Sequence, residues 1–351
     1  MFSVQGASAG NRSEYEVTVH DTIEAVDPAE WNGLVERSDR AGLFHRHEWL
    51  AAVERELGYE PRHVFVRKDH NPIGLLPNVV RPIELTPFRR LSSVYPGYGG
   101  PVISTDLEQT LSLLFEAVPT RRFGRTIVHE VRANDADFLR FNDFLAARGY
   151  RPYRGECRHL LDLTQGHAEI LENMSESRRS AIERGRNADH EIVEESLGEA
   201  EIERFYATYR RAMERLDATA LPIEFFESFR EFSEYVLLVT LRLDGEYAGG
   251  MLELLDEQRS TIYGFKAAVP EEYYGDGASE LLYDHVIRWG IERGFETYDF
   301  GDSNPDFQNG LFMYKDSFGG RVVPSYIWER GWNPLWRPVA AGRRRYQAYR
   351  R

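Results

Sequence analysis

Residues 261–279, TIYGFKAAVPEEYYGDGAS, join a β-strand pattern to a turn that contains two glycines. Residues 281–291 then repeat apolar side chains at helical spacing, and Gly294 predicts the end of that helix. Residues 297–300, TYDF, predict a short strand after it. The order strand, glycine turn, helix and strand predicts an α/β unit.

The glycine turn has a geometry that suits anion binding. Backbone N–H groups of such a turn and the positive end of the following helix dipole both attract negative charge. Glycine allows a phosphate to approach the backbone closely, because it has no side chain. The turn therefore offers candidate residues for binding the phosphate of a group donor, namely Gly275, Gly277 and Ala278. Such a turn is also common as a plain tight loop.

The sequence predicts two β-hairpins, at residues 63–80 and 236–255. Each joins apolar runs across a turn cluster, and the Asp244–Gly245 pair of the second is a strong hairpin signal. Each follows a helical pattern, at residues 48–57 and 223–232. The repeated order predicts a diverged internal duplication; chance similarity of two ordinary α/β domains is the alternative.

The predicted organisation places a boundary where Gly, Pro and Arg gather, at residues 149–157. The fold class is α/β (α+β), with two tandem domains that each have a mixed central sheet flanked by helices. The predicted segments are a flexible N-terminus (1–14), a first domain (15–152), a second domain (153–332) and a basic C-terminal tail (333–351).

Composition narrows the class of protein. The 351 residues are 42% hydrophobic, which predicts globular domains and excludes a disordered chain. The 57 acidic and 43 basic residues give a net charge of −14, and only three residues are lysine. An acidic, lysine-poor surface favours a halophile-like, salt-rich cytoplasm, whereas a GC-rich genome is the alternative reason for the lack of lysine.

Cys157 is the single cysteine, so an internal disulfide and a cysteine zinc site are excluded. The histidines do not show metal-ligand spacing, and we predict no metal. No apolar run is long enough for a membrane span, and residues 1–16 resemble no signal peptide. These features favour a cytoplasmic protein.

Two resemblances identify a family. Residues 272–277, EYYGDG, resemble the Gln/Arg-x-x-Gly-x-Gly/Ala signature of GNAT acetyltransferases. Glu272 stands where that family has Gln or Arg, and Asp276 adds a second negative charge. Because both carboxylates repel a pyrophosphate, they argue against coenzyme A bound in the usual manner.

The second resemblance is to the FemAB-like branch of the GNAT superfamily. It rests on residues 298–303 (YDFGDS), 309–311 (NGL) and 314–320 (YKDSFGG), with an arginine-rich helix at 174–186. It extends weakly through the first domain, so it implies two GNAT-like domains in tandem. It also implies transfer of an acyl or aminoacyl group to an amine; the Fem-type reaction takes an amino acid from aminoacyl-tRNA to a peptidoglycan precursor.

Lys315 is the first candidate for catalysis, because an ammonium beside the reacting carbonyl stabilises the oxyanion that forms when an amine attacks. Asp299 is a candidate general base, or alternatively the cap of the following loop. Tyr314 and Tyr263 are candidate proton donors or core residues. Lys266 is predicted to contact an anionic donor, with a solvated strand end as the alternative.

Arg178, Arg179 and Arg186 are predicted to form a cationic face for donor phosphates, since guanidinium groups pair with phosphate oxygens. Ion pairing with Glu176 and Glu183 on the same helix is the alternative.

The expected function is acyl or aminoacyl transfer to a small-molecule, glycan or peptide amine, with surface-glycan synthesis as one context. The donor is acyl-CoA or aminoacyl-tRNA, used as a substrate, and no tightly bound cofactor is expected. The basic tail is predicted to contact an anionic membrane at its inner face, to contact RNA such as tRNA, or to dock on the acidic surface. The alternative function is a non-catalytic GNAT-fold module that binds RNA or an anionic ligand.

Overall fold

A computed structural model describes residues 15–120, 124–133 and 136–349 of the chain. The predicted flexible N-terminus therefore lies outside the described residues, as do residues 350 and 351 of the tail. The described residues form two units: one contains those up to Gly155 and those from Ser325 onward, and the other contains Glu156–Pro324.

The first unit begins with strands and helices in this chain order: β1 (Tyr15–His20), α1 (Pro28–Glu36), α2 (His47–Leu57), β2 (Glu60–Pro61), β3 (His63–Lys68), β4 (Asn71–Leu76), β5 (Val79–Pro82), β6 (Arg89–Ser92), β7 (Val102–Ile103), α3 (Leu107–Glu116), β8 (Thr126–Ala133) and α4 (Asn142–Ala147).

The chain enters the second unit along a long strand and continues in this order: β9 (Arg151–Asp162), α5 (His167–Asn173), α6 (Glu176–Asn187), β10 (His190–Glu195), α7 (Glu199–Arg215), α8 (Ile223–Glu227), β11 (Val236–Leu243), β12 (Glu246–Asp256), β13 (Thr261–Ala268), α9 (Ala278–Glu292), β14 (Thr297–Ser303) and α10 (Gly310–Asp316). It returns to the first unit through β15 (Arg321–Gly331), which α11 (Trp336–Tyr349) follows.

The sheet of the second unit has the strand order β10-β11-β12-β13-β14-β9. Neighbouring strands are antiparallel except for β13 and β14, which are parallel and are joined by α9. A parallel pair needs such a crossover connection, because its strands start at the same edge of the sheet. Residues 261–279 form the first part of this crossover unit, from β13 to the start of α9.

The predicted hairpin at residues 236–255 is confirmed as β11 and β12. Asp244 and Gly245 at its turn have φ values of 49° and 80°. Two successive positive φ values are typical of the type I′ turn, whose twist matches that of the strands.

Helix α9 supplies much of the core of this unit. Its buried side chains pack with apolar residues of α5, α6 and the strands in one cluster. The buried α9 residues of this cluster are Ala278, Leu281, Leu282, Val286, Ile287 and Trp289.

Apolar side chains recur at helical spacing through residues 170–186, a pattern that favours one continuous helix, but the structure contains two helices there. Met174 and Ser175 are extended, and the Ser175 hydroxyl accepts a hydrogen bond from the Arg178 N–H. A serine in this N-cap position satisfies an otherwise unpaired N–H, which explains why a new helix starts at Glu176.

The first unit contains the sheet β1-β3-β4-β7 and a second run of strands, β15-β8-β6-β5-β2. The hairpin predicted at residues 63–80 is present as β3 and β4, with Asp69 and His70 at its turn, but its second strand ends at Leu76, and Val79 and Val80 belong to β5. Trp336 and Val339 of α11 pack on Ile83 and its neighbours, so the start of the predicted tail belongs to the packing of this unit. Within the described ranges, no helix has the length and apolarity needed to cross a membrane.

Candidate functional site

The pairing of the parallel strands β13 and β14 ends early. It covers Thr261–Tyr263 and Thr297–Asp299, although both strands continue beyond these residues. We call the region beyond the Tyr263–Asp299 pair the strand fork. Crevices at the carboxyl ends of parallel strands are common ligand sites in α/β proteins.

The two strands of the fork also pair irregularly with their outer neighbours, β13 with β12 and β14 with β9. On one side, Leu252 pairs with Lys266 and Glu253 with Gly264, so Phe265 is an extra residue in β13. On the other side, the register of β14 against β9 shifts between Asp299 and Asp302. Such bulges bend a strand and commonly lie beside functional sites.

Asp299 is fully buried at the start of the fork. One carboxylate oxygen accepts a hydrogen bond from the Arg158 guanidinium at 2.5 Å, and the other accepts one from the Gly301 N–H at 2.9 Å. Gly301 has a φ of 74°, which a glycine adopts easily. Asp299 therefore caps the bulge within β14, and not the loop after the strand that the sequence alternative named, and both of its oxygens are already engaged.

Lys315 lies on α10, whose first turn is capped by the Asn309 side chain through hydrogen bonds from two backbone N–H groups. The ammonium donates to the carbonyl oxygens of Gly301 at 3.1 Å and Asp302 at 2.9 Å. The side chain is buried, and burial lowers its pKa although the carboxylates of Asp299 and Asp302 oppose the shift. The structure thus brings Lys315 to the β14 arm of the fork.

Tyr263 is buried in β13, and burial raises the pKa of its phenol. Tyr314 packs against Tyr283 and Phe318, with the Arg178 guanidinium 4.8 Å from its ring centroid. Burial also raises the pKa of Tyr314 well above its ordinary value. Both phenols are therefore protonated at neutral pH, the form that a proton donor requires, and the role itself stays a prediction.

Lys266 lies on the β13 arm of the fork and is half-buried. Its ammonium is 4.9 Å from the ring centroid of Phe265 and 5.7 Å from that of Tyr209. Burial lowers the pKa of Lys266 to about 8, and repulsion by the Lys315 charge adds to this shift. Two of the three lysines in the sequence therefore interact electrostatically at the fork.

The glycine turn precedes α9 as predicted, but only one glycine is required by packing. A Cβ atom on Gly277 would lie 2.1 Å from the carbonyl oxygen of Ala181 in α6, and its φ is 79°. A Cβ atom on Gly275 would have no heavy atom within 4 Å. Glu272 and Asp276 are exposed, and Ala278 is buried. The clearest reason for Gly277 is thus the close approach of α6.

The three predicted donor-binding arginines already have protein partners. Arg178 pairs with Glu280, and Arg186 pairs with Asp284 at 2.7 Å, so both link α6 to α9. Arg179 donates to the carbonyl oxygens at the end of α5. The ion-pair partners lie on α9, not on α6 as the alternative hypothesis expected, and the three side chains do not form one uncompensated cationic face.

Other polar groups near the fork were missed in the sequence. Glu253 is buried, and its Oε1 accepts a hydrogen bond from the Tyr298 hydroxyl at 3.1 Å. Cys157 Sγ lies 3.3 Å from Ser303 Oγ, which lies 3.5 Å from His159 Nδ1. These contacts join residues 45 to 146 positions apart, and no local motif indicates them.

The comparisons with known proteins bear on the fold of the chain. Residues 172–309 match the family model described as an acetyltransferase (GNAT) domain. No curated protein matches the sequence. The crystal structure of FemX is similar, with a TM-score of 0.68 at 14% identity over 87% of this chain and 96% of FemX.

Two further solved structures are similar over most of their length. A tandem GNAT protein from the clavulanic acid biosynthesis pathway has a TM-score of 0.56 at 13% identity, over 91% of this chain and 99% of that protein. The C-terminal domain of a putative lysylphosphatidylglycerol synthetase from Agrobacterium fabrum has a TM-score of 0.57 at 15% identity, over 85% of this chain and 92% of that domain.

Residues 172–309 therefore resemble a GNAT acetyltransferase domain, and the predicted mixed α/β fold, which solved tandem GNAT proteins share, is confirmed. The fold shared with FemX agrees with the resemblance of residues 298–320 to the FemAB-like branch.

Proposed function

We propose that the second unit transfers an aminoacyl or acyl group from an activated donor to an amine acceptor. The observation that carries the proposal is the position of the Lys315 ammonium on the β14 arm of the strand fork, where two backbone carbonyls orient it. The family match to an acetyltransferase domain supports the reaction class.

In this reaction the amine nitrogen forms a bond to the donor carbonyl carbon, and the bond to the leaving oxygen or sulfur breaks. The carbonyl oxygen becomes an oxyanion, and the ammonium of Lys315 stabilises this charge. The amine gives up a proton, and the leaving group takes one. Tyr314 and Tyr263, whose phenols are protonated at neutral pH, are the candidate donors of that second proton.

Aminoacyl-tRNA is the donor that we favour over acyl-CoA. Glu272 and Asp276 expose negative charge at the glycine turn, which disfavours a pyrophosphate there. The name of the Agrobacterium relative denotes a lysyl group joined to phosphatidylglycerol, which supports aminoacyl chemistry for this fold. Amines of surface-glycan or peptide precursors are the proposed acceptors, and catalysis at the inner face of the membrane suits such acceptors.

The test compares labelled aminoacyl-tRNA with labelled acetyl-CoA in transfer to a panel of amines. Lys315→Met keeps the apolar stem and removes the charge, so we expect kcat to fall about 100- to 1,000-fold. Lys315→Arg restores a charge at the same position and is expected to recover part of the rate.

Lys68→Met is the matched control, because Lys68 pairs with Asp106 at 2.8 Å in the first unit. Its rate should equal that of the unmodified protein. A folded Lys315→Met protein with unchanged turnover would contradict the catalytic role. Tight, salt-sensitive tRNA binding without transfer to any acceptor would instead support the non-catalytic alternative.

A further inference from the structure

Among the residues that the structure describes, no carboxylate forms an ion pair with the ammonium of Lys266. Within residues 15–120, 124–133 and 136–349, no carboxylate lies within the 4.0 Å limit of an ion pair with its ammonium. Lys68 differs, because it pairs with Asp106, and Lys315 differs, because it donates to two carbonyl oxygens. Lys266 is thus a half-buried cation without a protein anion beside it.

The aromatic rings around Lys266 compensate only part of the cost of burial. A cation near the face of an aromatic ring is attracted by the negative charge density of that face. The rings of Phe265 and Tyr209 lie 4.9 and 5.7 Å from the ammonium. Against this gain, burial and the charge of Lys315 both disfavour the protonated amine and lower its pKa to about 8.

The charge balance of the chain makes this arrangement unusual. Acidic residues exceed basic ones by 57 to 43, so carboxylates are abundant, yet none in the described part of the chain pairs with Lys266, and the charge of Lys315 helps to lower its pKa. Burying a charge costs free energy unless it is paired or hydrogen-bonded, and this cost applies in part to the half-buried Lys266. A ligand that supplies the missing negative charge resolves this imbalance.

We propose that Lys266 forms an oxyanion-binding subsite on the β13 arm of the strand fork, which takes a phosphate or carboxylate group of the substrate while Lys315 serves the reacting carbonyl. An ammonium has three N–H donors, and two of those on Lys315 are used by the carbonyls of Gly301 and Asp302. Lys266 can direct its donors to the ligand. The assignment to a substrate rests on the proposed transfer function, whereas the anion binding itself does not.

The low number of lysines allows a direct test by pulse modification with acetic anhydride, followed by peptide mass spectrometry. The reagent reacts with the neutral amine, so the rate at each lysine measures its protonation. Pyrophosphate, phosphate and acetate are the probes, at constant ionic strength. We expect a bound anion to raise the pKa of Lys266 and to slow its modification about tenfold for each pKa unit.

Lys68 is the internal control in the same sample, and its rate should not depend on the probe. Protection by pyrophosphate or phosphate alone identifies a phosphate as the ligand group, and protection by acetate alone identifies a carboxylate. Equal modification rates of Lys266 with and without all three anions would overturn the proposal.

Calorimetric titration with the protective anion gives a second measurement. Lys266→Gln should weaken its affinity about tenfold, whereas Lys266→Arg and Lys68→Gln should retain it. Binding to the unmodified protein should also weaken as pH rises above about 8, because Lys266 loses its charge there. Unchanged affinity in Lys266→Gln would refute the subsite. Transfer activity enters neither measurement, so failure of the subsite and failure of the transferase proposal are distinguishable.

Discussion

Glu253 is a carboxylic acid buried in the second unit, where the Tyr298 hydroxyl donates to it. Burial raises its pKa from the ordinary 4.5 to about 8. The folded protein therefore holds this proton more tightly than the unfolded chain does. Its contribution to stability is complete below pH 4.5 and is lost as pH rises to about 8, on the order of 1 kcal/mol for each pH unit.

Glu253→Gln tests this expectation, because glutamine keeps the size and the acceptor oxygen but does not ionise. We expect the Tm of the variant to fall less than that of the unmodified protein between pH 5 and pH 8. Parallel pH profiles of Tm for the two proteins would show that the titration of Glu253 does not contribute.

Single residues also show which features of the site can be predicted from the local sequence. Lys315 was identifiable from its motif and from the rarity of lysine. Arg158, which donates to Asp299, lies 141 positions away, and nothing local to either residue indicates their contact. Strand order brings the two together, so Asp299 was recognisable as a site candidate but not as part of an ion pair.

At the scale of elements, the contact between α6 and α9 depends on Gly277. Gly277→Ala is expected to lower the free energy of unfolding by more than about 1 kcal/mol, because its Cβ meets the Ala181 carbonyl and its φ is positive. Gly275→Ala is the matched control, since its Cβ meets nothing within 4 Å and should change stability little. Chemical denaturation measures both, and equal effects would contradict the packing argument.

The same two helices are linked by the buried carboxylate of Asp284, which accepts hydrogen bonds from His167 and Arg186, both at 2.7 Å. Arg186→Gln leaves this buried charge with fewer hydrogen-bond partners. We therefore expect the free energy of unfolding to fall by about 1–3 kcal/mol. Thermal unfolding checks this effect, and the KM for the donor checks separately whether Arg186 also contacts the substrate. An unchanged Tm would contradict the structural role.

Element types were largely predictable, because hairpins and amphipathic helices have local signals. The Asp244–Gly245 turn and α9 followed from their patterns. The break between α5 and α6 could not be predicted from its pattern, because the apolar spacing continues through it. A single serine cap decides where the second helix starts.

At the scale of the whole molecule, the net charge of −14 creates repulsion that opposes compact folding. Salt screens this repulsion, with a Debye length of about 10 Å at 0.1 M. We therefore expect Tm to rise as sodium chloride increases from about 0.05 to 1 M. A Tm that stays constant or falls over this range would contradict a dominant role for self-repulsion.

By itself, the sequence determined the α/β class, the crossover unit at residues 261–300 and the likeness to the FemAB-like branch, because these depend on local periodicity, turn residues and short motifs. The tertiary structure alone decided the strand fork, the partners of the arginines and the convergence of Lys266 with Lys315. Those features depend on which strands become neighbours, and a pairing between distant segments leaves no signal within either one. The glycine turn shows both contributions: its place before α9 was evident from the sequence, whereas the reason for Gly277 emerged only from the carbonyl of Ala181 in the adjacent helix.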